Sequence, residues 1–143
     1  MNTAKVEVGR LLEVRVAAGF RTVAHVDALF DAIDRALGVL GFGQRHVTVA
    51  DWRLCPVMSP EAAQRLSERI GIYNTRTDRS AALASRSSPV AVLQFVRVIR
   101  ETGLPDRKLF YDEKELIDWV DQVLTPGEQA RLREFLSEGR QGG

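Results

Sequence analysis

Apolar and polar positions alternate with a period of two at the start of the chain and then shift to helical spacing. Leu12, Val14 and Val16 are separated by Glu13 and Arg15, so Leu11–Ala17 is expected as a half-buried strand. Lys5–Val8 precedes it, and Gly9-Arg10 between the two runs suits a tight turn, which predicts an antiparallel hairpin. From Val23 the period changes. Val23, Val26, Phe30, Ile33, Leu37 and Leu40 recur every three or four residues, one stripe of a helix that Thr22 can cap. Gly41 and Gly43 end that helix. The fragment Gly41-Phe42-Gly43 has too few glycines and the wrong strand–helix order for a dinucleotide loop.

His46–Trp52 reads as the third strand. Ser59-Pro60-Glu61 then marks a helix start: Ser caps, Pro suits the first turn, and Glu favours the positive end of the dipole. That helix runs to Ile70 with Ala62, Leu66 and Ile70 on one face, and Gly71 stops it. Asn74–Arg79 is polar and turn-like. Ser80–Ser85 is a strand of small residues, expected to let a helix pack closely. Ser87-Ser88-Pro89 starts a helix to Thr102, stopped by Gly103 and Pro105, and Arg107–Tyr111 is the fifth strand. Asp112 with Glu115, and Thr125 with Glu128, are capping-box signatures for two closing helices. The last is expected to end near Ser137, leaving one domain over residues 1–138 and a disordered tail at 139–143. The order β-β-α-β-α-β-α-β-α-α predicts an α/β fold with a mixed sheet of about five strands.

Charge narrows the functional classes. Twenty basic and 19 acidic residues leave a formal net charge of +1, with no long-range field for nucleic acid or an anionic membrane. One cysteine, Cys55, rules out an internal disulfide and suits a reducing cytoplasm. His25, His46 and Cys55 are too scattered for a zinc pattern. The first residues carry no secretory signal, and no apolar run approaches bilayer length, so the chain reads as cytoplasmic.

Chemistry is sparse. There is no Gly-x-Ser-x-Gly elbow and no phosphate loop. Cys55 and His46 could pair as nucleophile and base, but an isolated cysteine beside Pro56 and Val57 is far more often a small buried apolar residue. Asp51, at a strand end, is the best acidic candidate, and loop capping is its favoured role. Ser59 has a complete explanation as a cap, and a phosphate there would also suit the helix N-terminus. Trp52, Phe95, Tyr111 and Trp119 are expected in the core, His25 at the surface, and Tyr73 in an exposed loop.

Three stretches, VTVADWRLCPVMSPEAA, RSAALAS and LQFVRVIRETG followed by RKLFYDEKELIDWV, together with the element order, resemble the STAS domains, the family of bacterial anti-sigma-factor antagonists, over about Lys5 to Leu124. The resemblance implies helices mainly on one face of the sheet and a non-enzymatic regulatory module that binds another protein, with homodimerisation compatible. In that family a strand ends in Asp, and a serine at the start of the next helix is the target of a partner kinase. Asp51 and Val57-Met58 match the lead-in, and Ser59 falls on the phosphosite after a slip of one residue. The expected contact surface is Asp51, Arg53, Val57, Met58, Ser59, Glu61 and Tyr73. No catalytic residue, cofactor or metal is expected. The same broad fold resembles lipid-exchange domains, so the alternative is a carrier of a small apolar or lipid-like ligand in a pocket beside the sheet.

Overall fold

Strand order in the computed structural model, which describes residues 1–41 and 43–142, follows chain order without a reversal: β1 (Asn2–Val6), β2 (Leu11–Val16), β3 (His46–Asp51), β4 (Thr77–Leu83) and β5 (Arg107–Phe110). β1 and β2 are antiparallel, and every later pair is parallel. This is the α/β fold with a mixed five-stranded sheet that the pattern predicts. The helices are α1 (Val23–Leu37), α2 (Pro60–Gly71), α3 (Pro89–Thr102), α4 (Glu113–Asp121) and α5 (Pro126–Gly142).

Local chemistry fixes most helix starts. Thr22 accepts from the His25 amide, and Ser59 Oγ accepts from Ala62 N–H at 3.1 Å. Asp112 Oδ2 accepts from Glu115 N–H at 3.3 Å. Thr125 and Glu128 form the reciprocal box: Glu128 N–H donates to Thr125 Oγ1 at 3.3 Å, and Thr125 N–H donates to Glu128 Oε1 at 2.9 Å. α3 differs. The Ser88 side chain makes no capping bond, and Pro89 alone marks the start.

Side-chain parity divides the core in two. Leu12, Val14, Ala50, Trp52 and Ala82 point to one face, where α1, α2 and α3 cover them. Leu11, Val47, Val49, Ala81 and Leu83 point to the other, beneath α4 and α5. The helices therefore lie mainly, but not wholly, on one face. Trp52 packs on Phe95 with ring centroids 4.8 Å apart, as core aromatics should. Glu13, expected on a wet face, is 3% exposed because α5 covers it. Arg131 of α5 meets its carboxylate with two bonds, at 2.7 and 2.8 Å.

Element ends differ from the sequence expectation where turns draw on neighbouring residues. The Leu11 N–H bonds the Val8 carbonyl at 3.3 Å, so Val8 belongs to the turn and β1 starts earlier. Thr77–Arg79 joins β4, because Asp78 is neutralised by Arg10 and Arg45. The last three residues expected in α1, Gly38–Leu40, form a 3-10 turn. α5 continues past Ser137 to Gly142, so positions 139–142 are helical rather than a tail. Phe42, from the rejected glycine loop, and Gly143, the end of the expected tail, lie outside the described residues.

Glu128 joins three parts of the molecule. Its side chain is buried, Oε1 completes the α5 cap, and Oε2 accepts the Arg10 N–H at 2.7 Å in the β1–β2 turn. Gly9 sits beside it at φ +57°, where any Cβ would overlap the carboxylate. Glu128→Ala is expected to lower stability by about 2–4 kcal/mol, since two backbone donors lose a charged acceptor. Urea unfolding with an unchanged m-value checks it, and Glu128→Gln should fall between the two.

Candidate functional site

The loop after β3, the expected site, is held by its own side chains. Asp51 is 5% exposed, and its Oδ1 accepts the Arg53 backbone N–H at 3.1 Å, the loop-capping role. The carboxylate also meets the guanidinium groups of Arg15 at 2.8 Å and Arg53 at 2.9 Å. Arg53 reaches on to Glu113 at 3.0 Å and to the Leu136 carbonyl at 2.9 Å, so the network ties the loop to α4 and α5. Met58 is buried, and the Gln94 side-chain amide bonds both its N–H and its carbonyl at 2.8 Å.

Among the expected contact residues, Val57 and Glu61 stand at the surface, Arg53 and Ser59 are half-buried, and Asp51 and Met58 face inward. Tyr73 lies apart from them. Its ring is half-buried, stacks on Phe30 at 5.8 Å between centroids, and meets His46 edge-on at 6.5 Å, while its hydroxyl bonds Asp34.

A crevice lined by Arg15, Asp51, Leu54 and Glu138 lies at the carboxyl ends of β2 and β3, but the strand order places no switch point there. Ligand crevices at the carboxyl ends of parallel strands arise where successive crossovers go to opposite faces. Here the order never reverses, and α1, α2 and α3 all lie on one face. A more apolar space lies over the sheet face. A cavity of about 60 Å³ lies between the sheet and α1 and α2, walled by Phe30, Ile33, Leu66 and Ile70. At about 10–15 Å³ for each water, it has room for roughly four to six of them.

Its floor is set by register. Leu12 pairs with Thr48, Thr48 with Ser80, and Ser80 with Arg107, one row across β2 to β5 with an apolar end and a cationic end. The next row carries Ala50 and Ala82. The small residues of β4, expected to allow close helix packing, leave the space open above them: Ser80 and Ala82 both line it.

Two polar side chains of this cavity carry a buried atom with no partner. His46 is 1% exposed, and its Nδ1 has none. Burial, with Arg76 and Arg107 nearby, pushes its imidazole down to about 4, so the ring is neutral at ordinary pH. Arg107 is 7% exposed. Its Nη1 donates to Asn74 Oδ1 at 2.6 Å, but its Nε has no partner. Desolvation lowers the guanidinium to about 10, so it stays charged at neutral pH. Among the described residues no carboxylate forms an ion pair with it, whereas Arg15, Arg53 and Arg131 all have one. From the sequence, His46 and Arg107 stand at the starts of the third and fifth strands, and neither is given a ligand-binding role. The available signal was parity, since Arg107 shares its side of β5 with Leu109 and Tyr111.

Cys55 and His46 do not meet. His46 is the first residue of β3 and Cys55 lies beyond its last, so the strand's length keeps them roughly 17 Å apart. Burial pushes the Cys55 thiol up to about 12, which suits the small buried residue expected.

The His46 environment makes stability depend on pH. Above the unfolded value of 6.5 both states hold a neutral ring. Between that and about 4 the unfolded chain binds a proton that the folded chain refuses, so stability falls as the pH falls. Relative to His46→Leu, the protein should lose about 2 kcal/mol more between pH 7 and pH 5. Urea unfolding at both pH values measures it, and parallel profiles would exclude the linkage. Ser59→Ala should cost about 1 kcal/mol at either pH, the usual worth of a cap.

In comparisons with protein-family models, curated proteins and solved structures, no match to this chain was found.

Proposed function

We propose that the chain is a non-enzymatic binding module that holds a molecule of a few heavy atoms between the sheet and α1 and α2. The observation that carries this reading is the cavity of about 60 Å³, apolar on most sides and floored by small residues. Its size sets the guest. An engineered apolar cavity of about 150 Å³ takes up benzene, so a space of about 60 Å³ suits something smaller and excludes a lipid chain. The apolar-carrier reading therefore survives only for small guests.

The test is a titration of methyl-labelled protein with short-chain alcohols, amides and acids, followed by NMR. Saturable shifts confined to methyl groups around the cavity, those of Leu12 and Ala82 above all, are the expected result. Ala82→Leu, which fills the floor, should abolish them. Methyl resonances unmoved by every probe would remove the proposal.

A second reading has an observation of its own. Val57 in the loop and Val90 and Leu93 on α3 are 51%, 58% and 69% exposed, and Gln94 ties the loop to α3 beside them. This apolar surface supports the regulatory, STAS-like reading, in which another protein or a second copy docks at the start of α2 and Ser59 is a phosphosite. Leu93→Glu should then abolish capture of a specific partner, and capture unaffected by it would count against this surface.

A further inference from the structure

We infer that the guest of the cavity is a small carboxylate of about two or three carbons, bound with its charged end against Arg107 and its alkyl end beside Ala82 and Ala50. The inference rests on the binding reading above and deepens it by naming the ligand class. The unpaired charge is the first reason. A guanidinium removed from water needs an anion, or its lost hydration goes uncompensated. Among the described residues the chain supplies none to Arg107, although it pairs the neighbouring Arg10 and Arg45 with Asp78.

Geometry is the second reason. The guanidinium is held in place by Asn74, and its Nε, closed off from water, has no partner, so a carboxylate oxygen gains that donor as the guanidinium turns to meet it. His46 Nδ1, also bare and on the same cavity, supplies a second donor in the tautomer that carries its proton there. Arg76, Arg107 and Arg10 depress the His46 imidazole and Asp78 alone opposes them, so cations outnumber anions around the ring. Ala82 on β4 and Ala50 on β3 give the space next to Arg107 an apolar wall, which suits a short acid and not a symmetric inorganic ion.

The experiment compares propionate with its isostere propionamide, near pH 7, by the same methyl NMR titration and by calorimetry. Propionate is expected to bind at least about tenfold more tightly, the difference of one charge-assisted contact. Chloride at equal concentration should not displace it. Arg107→Gln, checked for an intact fold by its amide spectrum, should bring acid and amide within about twofold of each other. If that variant does not fold, the wild-type acid–amide ratio decides. Equal or tighter binding of the amide would overturn the carboxylate assignment while leaving the cavity a binding site. Displacement by chloride would also overturn it, since any small anion would then serve. No response to acid, amide or alcohol would remove both this inference and the binding reading on which it rests.

Discussion

A sheet of parallel strands must be covered on both faces, and this requirement organises the molecule. Crossovers between parallel strands are right-handed, so a strand order that only advances sends every crossover helix to the same side. β2 to β5 advance without reversal, and α1, α2 and α3 accordingly share one face. The other face is closed by chain that comes after the last strand. α4 and α5 do this with Leu116, Val120, Leu132, Phe135 and Leu136. The two C-terminal helices are thus half of the enclosure.

The two faces handle charge differently. Beneath α5 the sheet carries Glu13, Arg15 and Asp51, and each meets an opposite charge: Arg131 on Glu13, and Asp51 on Arg15 and Arg53. Arg15 and Arg53 also donate to the carbonyls of Phe135 and Leu136, and the Arg15 guanidinium lies 4.3 Å from the Phe135 ring centre. Desolvation offsets most of the Coulomb gain in such pairs, so their contribution is mainly to fix where α5 docks. Arg107, on the opposite face, is buried as well, and among the described residues no carboxylate pairs with it. Among the described residues the other buried charges are met and this one is not.

The elements and their starts were legible because they are local. Ser59, Asp112 and the Thr125–Glu128 box announce themselves within four residues, and their bonds form as read. Asp51 as a loop cap was equally local. The cavity was not legible, because its polar members come from the first residues of two strands that are not neighbours, β3 and β5. They share a space only through sheet order and side-chain parity, which a single sequence does not display. The small residues of β4 were visible but ambiguous: the same alanines permit a helix to approach or leave a void, and the volume of the side chains on α1 and α2 decides between them.

That ambiguity has an energetic resolution. At about 24 cal/mol for each Å³, a void of about 60 Å³ costs roughly 1.5 kcal/mol of packing, and larger side chains at Ser80 or Ala82 would recover part of it. An unpaired buried guanidinium costs more, and an apolar residue at position 107 would remove that penalty too. A sequence selected for folding alone would carry neither, since stabilising substitutions of these kinds are easy to reach. Here both lie on one row of one sheet face, beside a histidine with its own unsatisfied nitrogen. Local departures from consistent packing and pairing mark sites of function when they coincide, because the fold then bears their cost for something outside itself. A ligand that fills the void and neutralises Arg107 offsets both terms at once, and neither water nor an apolar guest can do so.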